Sequence, residues 1–239
     1  MKQLGVIGGL GPLATAQFIE MVVRMTDASF DYEHIPMIIY NQPGTPDRTS
    51  FILGKSSESP LPAMLKIGQA LTGQGVDCIA IPCVTAFYFY KDLAEGISVP
   101  IINMISETAD YLTANRVGKV GLMATDGTIT AGFFRTGLES AGIQVVQPSP
   151  EGQKRVMQII YGSVKANQPV DMADFRMVED ELRAQGAEVI ILGCTELSAI
   201  HRDNKIGPGF IDAMEVQARK AVILCNGRLK NDYNQLITK

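Results

Sequence analysis

The sequence predicts an α/β fold with two pseudo-equivalent lobes, each a mostly parallel sheet flanked by helices, and a candidate site in the cleft between them. Short runs rich in β-branched residues alternate with longer segments of helical pattern, and such alternation is typical of parallel sheets. The short runs are apolar on both faces, so we expect helices to cover both sides of each sheet.

Seven strands and seven longer helices are predicted along the chain. The predicted strands are 4–8, 36–41, 76–81, 99–103, 119–124, 143–147 and 187–192. The predicted helices are 13–28, 60–74, 105–115, 130–141, 151–166, 171–185 and 212–229. Each strand is followed by a helical segment or a short connection, as the βα units of an open sheet require.

The two halves of the chain resemble each other. The segment GVIGGLGP at 5–12 is similar to GLMATDGT at 121–128, because each is a strand that runs into a glycine-containing turn. VDCIAIPCVT at 76–85 is similar to AEVIILGCTE at 187–196. We therefore predict an N-terminal lobe of residues 1–104 plus 212–239 and a C-terminal lobe of residues 105–211.

Composition narrows the class of protein. The 239 residues carry a formal net charge of −4 without a run of like charges, which argues against nucleic acid as a partner. No apolar run approaches the roughly 18 residues of a membrane span, so we expect no membrane association and a cytoplasmic location. The four cysteines form no CxxC pair and have no neighbouring histidine, so we expect no metal site and no disulfide.

Two cysteines stand at equivalent places in the two halves. Cys83 and Cys194 each end an apolar strand, and Thr85 and Thr195 follow them closely. The carboxyl ends of parallel strands are where ligands bind in open α/β sheets, and a helix N-terminus there stabilises a thiolate. Taken singly, Cys83 fits a small core residue as well as a reactive one. Two thiols converging on one cleft, however, give the geometry that inversion of a carbon centre by proton exchange needs.

The remaining two cysteines, Cys78 and Cys225, lie inside apolar segments and are interpreted as core residues. The glycines at 8, 9 and 11 lack the full G-x-G-x-x-G spacing. We interpret them as a tight turn that lets a substrate approach the backbone rather than as a nucleotide loop.

Seven motifs in order carry a resemblance to the cofactor-independent aspartate/glutamate racemase family. The motifs are IGGLGPLAT (7–15), NQPGTPDRT (41–49), IPCVTAFYFY (81–90), GLMATDGT (121–128), IIYGSVK (159–165), GCTEL (193–197) and IDAMEVQARKAV (211–222). The resemblance implies interconversion of L- and D-aspartate, with glutamate or a broader set of amino acids also possible. It also implies a homodimer and no pyridoxal phosphate, metal or nucleotide.

The same resemblance assigns residues to the site. Cys83 and Cys194 become the catalytic acid–base pair. The implied substrate-binding residues are Leu10, Arg48, Val84, Thr85, Lys165, Thr195 and Glu196.

Each polar site residue also has a structural alternative. Arg48 is expected to bind the substrate carboxylate, or else to form a surface ion pair with Asp47. Lys165 is expected to bind a side-chain carboxylate, or to be a solvated lysine at a helix end. The two threonines are expected to hold the α-carboxylate, or to cap helices. Glu196 is expected to orient its neighbours, or to be a capping acid.

Three positions depart from the family pattern. The first elbow usually reads Cys-Asn-Thr-Ala-His, whereas here Val84 and Phe87 replace the asparagine and the histidine. In the closing helix Gln217 stands where histidine is common. We expect these changes to alter the polar shell of the site. Two other functions therefore stay open, namely an isomerase or lyase of small diacids and a catalytically diverged binding protein.

Overall fold

The computed structural model describes residues 1–239 and contains two parallel sheets flanked by helices. The first sheet has the order β2-β1-β3 and the second the order β5-β4-β6-β7. The strands are β1 (Leu4–Gly8), β2 (Met37–Asn41), β3 (Cys78–Ala80), β4 (Lys119–Met123), β5 (Gln144–Val146), β6 (Val189–Leu192) and β7 (Phe210–Asp212). The predicted fold class is confirmed.

Eleven α-helices surround the sheets, and none is long and apolar enough to cross a membrane. They are α1 (Pro12–Met25), α2 (Arg48–Ile52), α3 (Leu61–Gly73), α4 (Tyr90–Gly96), α5 (Met104–Ala114), α6 (Asp126–Ala131), α7 (Phe133–Ser140), α8 (Pro150–Met157), α9 (Met172–Ala184), α10 (Thr195–Asp203) and α11 (Ala213–Leu224). Segments Asp31–Glu33, Val84–Phe89 and Asn231–Asn234 are 3₁₀ helices, and Gln158–Val164 is a π-helix.

The strands that lead to the two cysteines hold equivalent positions. In the first sheet β3 pairs with β1, and in the second β6 pairs with β4, with both pairings parallel. On its other side β6 pairs with β7, whereas β3 forms only a bridge from Ile79 to Ile101. The predicted strand at 99–103 is thus reduced to that bridge, because Pro100 has no N–H to extend the ladder.

Several predicted helices have different bounds in the structure, and the one predicted at 13–28 already ends at Met25. Gly132 adopts a left-handed conformation with φ of +69°, and it divides the predicted helix at 130–141 into α6 and α7. The helix predicted at 151–166 continues beyond α8 as the π-helix and ends just before Lys165. The helix predicted at 212–229 ends at Leu224.

Helices α5 and α11 pack against each other and join the two sheets. Helix α5 follows the bridge from Ile79 to Ile101, and helix α11 follows β7. Asn103 is the N-cap of α5 and Asp212 is the N-cap of α11, and each accepts backbone N–H groups with its side chain. Helix α11 also packs against α1, and α5 against α7. Each helix therefore crosses from its own sheet to the other half of the molecule. The lobe boundaries at residues 104 and 212 stay a prediction.

Candidate active site

A small cavity lies where the ends of the two cysteine-bearing strands face each other. All nine predicted site residues line it, together with four that were not predicted. The lining residues are Leu10, Asp47, Arg48, Thr49, Cys83, Val84, Thr85, Thr125, Tyr161, Lys165, Cys194, Thr195 and Glu196. Its volume is about 10 Å³, which is room for about one water molecule. No group of His, Cys, Asp and Glu side chains is arranged to hold a metal ion.

Both thiols occupy the N-cap position of a helical segment. Cys83 precedes the 3₁₀ helix Val84–Phe89, and Cys194 precedes α10. Each residue is extended, as expected directly after a strand, and each is buried with 5% of its surface exposed. The structure therefore places the two cysteines in equivalent local settings on the same cavity.

Arg48 supplies a buried positive charge beside Cys83. It is the first residue of α2, and its guanidinium donates to the Leu10 carbonyl and to the Pro46 carbonyl at 3.1 Å. Burial alone would lower the pKa of Arg48, but the neighbouring Cys83 and Asp47 hold that pKa above its usual value. Asp47 uses its own carboxylate to cap α2 by accepting from Ser50 N at 2.7 Å. The guanidinium is therefore inside the site rather than in a surface ion pair.

Lys165, Glu196 and Cys194 form a connected chain of polar contacts. Lys165 Nζ lies 2.5 Å from Glu196 Oε1, and the Cys194 thiol donates to Glu196 Oε2 at 2.9 Å. Burial lowers the pKa of Lys165, but the carboxylate of Glu196 more than offsets this, so the pKa is raised. Burial and then the Glu196 charge raise the pKa of Cys194 well above its usual value, against the smaller opposing effect of Lys165.

Hydroxyl groups complete the polar part of the cavity wall. Thr85 Oγ1 lies 3.2 Å from Thr125 Oγ1 and 3.3 Å from Thr128 Oγ1, so three hydroxyls meet between the two halves of the molecule. Thr195 Oγ1 donates to Glu196 Oε2 at 3.5 Å. Because the cysteines hold the N-cap positions, neither Thr85 nor Thr195 serves as a helix cap.

Four residues that line the cavity lie outside the predicted set. They are Asp47, Thr49, Thr125 and Tyr161. Tyr161 donates to Asp47 Oδ2 at 3.3 Å, and Lys165 Nζ lies 5.3 Å from the centre of its ring. Burial raises the pKa of Tyr161 to about 12, which keeps its hydroxyl protonated. Asp47 and Thr49 lie within the NQPGTPDRT motif and Tyr161 within IIYGSVK, so those motifs did contain a signal for them.

A sequence model of the Asp/Glu/Hydantoin racemase family matches residues 7–221. The chain belongs to this family. The family of the predicted resemblance is thereby confirmed, and its aspartate and glutamate racemases are isomerases.

Individual relatives cover most of the chain. The broad specificity amino-acid racemase RacX of Bacillus subtilis is 27% identical over 203 residues, which is 82% of this chain and 86% of RacX. The structure of aspartate racemase from Picrophilus torridus superposes with a TM-score of 0.84 at 31% identity, covering 98% of both chains. An aspartate racemase homologue from Pyrococcus horikoshii OT3 has a TM-score of 0.77 at 26% identity, covering 95% of this chain and all of that one.

Of the three departures from the family pattern, only Val84 faces the cavity. Phe87 is buried in the core, where its ring stacks on Tyr90 at 6.0 Å between centroids. Gln217 is fully buried and donates to the Ile102 carbonyl at 3.2 Å. Neither Phe87 nor Gln217 lines the cavity, so their effect on the polar shell of the site stays a prediction.

The glycine turn after β1 is expected to let a substrate approach the backbone, but at Gly9 the structure shows a different role. Gly9 has φ of +87°, and a Cβ atom there would lie 2.4 Å from the backbone of Gln42. The close approach is thus made by the neighbouring loop and not by a ligand. At Gly11 a Cβ atom would lie 3.2 Å from Glu196 Oε1, so the end of the turn borders the site.

Proposed function

We propose that the chain is a cofactor-independent racemase that interconverts L- and D-aspartate, with glutamate or a broader set of amino acids as further substrates. Proton transfer by Cys83 and Cys194 is the proposed mechanism. The single observation that carries the proposal is that two thiols at equivalent strand ends line one cavity. One group can then remove the α-proton while the other returns a proton from the opposite side.

Arg48 supports the chemistry because it offers a buried guanidinium to the substrate carboxylate. The α-proton of an amino acid is weakly acidic, so the carboxylate must be stabilised as negative charge develops on it. A guanidinium binds a carboxylate through two parallel hydrogen bonds. The Leu10 carbonyl fixes the guanidinium in place, and the apolar side chains of Leu10 and Val84 keep water from weakening the interaction.

Lys165 supports an acidic substrate because it is the second cation on the cavity wall. It is already paired with Glu196, so a second substrate carboxylate has to exchange with that of Glu196. A separate cavity of about 380 Å³ lies beside the site and shares Lys165, Thr195 and Glu196 with it. We propose that the Lys165–Glu196 pair separates when substrate enters from this cavity, since the closed site is too small for an amino acid.

The proposal includes a homodimer in the cytoplasm. β2 is the edge strand of its sheet and exposes Ile39 and Tyr40, an apolar edge that a second copy of the chain can cover. The four free thiols suit a reducing compartment. Light scattering on the purified protein should give twice the mass of the 25.9 kDa chain, whereas a monomer mass would reject the dimer.

An isomerase or lyase of small diacids is the second candidate, favoured by the same two cations and two thiols. In such chemistry one cysteine forms a covalent bond to the substrate. Mass spectrometry of enzyme quenched during turnover of a small unsaturated diacid should then show an adduct on Cys83 or Cys194, which racemisation does not produce. A catalytically diverged binding protein, the third candidate, would bind an amino acid without any exchange of its α-proton.

The decisive experiment is incubation in deuterated water with single enantiomers of aspartate, glutamate and a panel of neutral amino acids. The proposal predicts α-deuterium in the enantiomer that forms. If no member of the panel exchanges its α-proton, the racemase proposal is wrong.

A further inference from the structure

A second cavity, the α1–α10–α11 cavity, lies between those three helices and the 3₁₀ helix Asn231–Asn234. Its volume is about 140 Å³, similar to that of a cavity of roughly 150 Å³ that binds benzene. None of its lining residues lines the cavity of the two thiols. Met21, Met25 and Tyr233 form its apolar part, and polar side chains form the rest.

The two arginines that line this cavity already have carboxylate partners. Arg24 Nε lies 2.7 Å from Glu20 Oε1. Arg202 donates to both carboxylate oxygens of Asp203, from Nε at 2.6 Å and from a terminal nitrogen at 2.7 Å. All four side chains are exposed. The arginines therefore leave no unmatched positive charge at the cavity.

Glu215 is a lining acid without such a partner. Its side chain is 18% exposed, and its one basic neighbour is His201, whose Nδ1 lies 3.9 Å from Glu215 Oε2. Burial and the neighbouring Asp212 carboxylate raise the pKa of Glu215 to about 8. Asp212 is fully buried, and its Oδ2 has no hydrogen-bond partner. Two carboxyl groups therefore stand close together here without a full counter-charge.

Gln17 adds an unused polar group to the same cavity. The residue is 4% exposed, and its buried Nε2 has no hydrogen-bond partner. Such a group is unfavourable when it stays unpaired, and nearly all buried polar groups in native proteins are paired. Because a side-chain amide carries both donors and an acceptor, Gln17 can bind a polar group of a ligand.

We propose that the α1–α10–α11 cavity is a binding site for a small organic cation, a protonated primary amine of about six non-hydrogen atoms. The ammonium group binds the Glu215 carboxylate and the Gln17 amide, and the alkyl part packs against Met21 and Met25. No group of His, Cys, Asp and Glu side chains is arranged to hold a metal ion, so an organic cation fits this lining better than a metal. The site does not depend on the proposed racemase function, because its ligand needs no carboxylate for Arg48.

NMR of the methionine methyl groups tests the site with n-butylamine as the probe. Met21 and Met25 line the cavity, and the other 9 of the 11 methionines serve as internal controls. At about pH 8 an alkylamine keeps its proton, as a lysine side chain with a pKa of about 10.4 does. We expect saturable shifts of the Met21 and Met25 signals. The isosteric n-butanol should bind at least about tenfold more weakly, because it cannot form the charge-assisted bond.

Substitution of Glu215 separates its charge from its shape. Glu215→Gln should weaken n-butylamine binding at least about tenfold and leave n-butanol binding unchanged. Glu107→Gln is the matched control, because the Glu107 side chain is 22% exposed, pairs with Lys220 at 2.9 Å and does not line the cavity. This control should bind n-butylamine with the wild-type affinity. Unshifted signals of the other methionines show that each variant is folded.

The pH dependence of binding gives a second readout. Since the amine binds the ionised carboxyl of Glu215, affinity should rise about tenfold for each pH unit below the pKa of about 8 and then level off. A protonated His201 competes for the same carboxyl and acts in the same direction. Tyr233 stays protonated because burial raises its pKa. Asp232 and Lys239 are exposed and line only an adjoining cavity of about 410 Å³ that shares Glu215. In Glu215→Gln the rise in affinity should flatten.

Two results would overturn the proposal. One is the absence of saturable shifts at Met21 and Met25 with n-butylamine, and the other is equal affinity in Glu215→Gln and the wild type. Either result leaves the racemase proposal standing, because n-butylamine has no carboxylate for Arg48. Conversely, a protein that binds n-butylamine but exchanges no α-proton retains this site and refutes the racemase proposal.

Discussion

Replacing Arg48 with lysine keeps the positive charge beside Cys83 and removes the planar donor fork. In the wild type the buried guanidinium donates to the carbonyls of Leu10 and Pro46, and lysine cannot reach both while also binding a substrate carboxylate. Arg48→Lys therefore separates the charge of this side chain from its geometry.

The expected losses follow from the bonds that the fork makes. One buried carbonyl left without a donor should lower the free energy of unfolding by about 1–3 kcal/mol. Loss of one charge-assisted bond to the substrate carboxylate, worth about 1.5–3 kcal/mol, corresponds to a drop in kcat/KM of roughly 10- to 100-fold. Circular dichroism at a fixed wavelength follows the decay of either enantiomer, and urea unfolding gives the stability.

Arg183→Lys is the matched control for this experiment. Arg183 also donates to several backbone carbonyls, among them those of Glu188, Pro208 and Gly209, but it does not line the cavity. The Arg183→Lys variant should lose a similar amount of free energy of unfolding and keep the wild-type kcat/KM. If Arg48→Lys keeps full kcat/KM, or if both variants lose kcat/KM equally, the role of Arg48 in carboxylate binding is wrong.

Three further predictions test the surroundings of the site. Gly9→Ala should lower the free energy of unfolding by about 2 kcal/mol or more, because a Cβ atom meets backbone 2.4 Å away at positive φ; an unchanged urea midpoint would contradict this. Burial raises the pKa of Glu215 to about 8 from 4.5, so as pH rises from 4.5 towards 8 the unfolded carboxyl ionises first and the native state loses stability. Glu215→Gln should flatten that decline in urea unfolding, and parallel curves for variant and wild type would refute it. Lys165→Met should lower kcat/KM for L-aspartate more than for L-alanine, whereas equal reduction would show that Lys165 contacts no second carboxylate.

Both cysteine elbows could be predicted because their signal is local. A strand apolar on both faces that stops at a cysteine marks the carboxyl edge of a sheet, and its recurrence in the second half marks a pair. The prediction that Arg48 and Lys165 meet at the same cavity rests on motif resemblance instead. No local sequence pattern indicates where either side chain points.

The elements that the sequence did not reveal depend on tertiary contacts. β7 has three residues and exists because it pairs with β6, so no alternation is long enough to indicate it. Tyr161 reaches the cavity from a π-helix, whose wider turn a helical periodicity does not anticipate. Phe87 follows Cys83 closely in sequence, yet the 3₁₀ helix directs it into the core.

The most direct test of the two-thiol mechanism is α-proton exchange by Cys83→Ser and Cys194→Ser, each supplied separately with L- and D-aspartate in deuterated water. Serine is too weak an acid to replace a thiol in either role, so each variant should lose formation of the opposite enantiomer by several orders of magnitude. The remaining thiol should still exchange the α-proton of only one enantiomer, and the two variants should prefer opposite ones. Racemisation at the wild-type rate in either variant would contradict the mechanism.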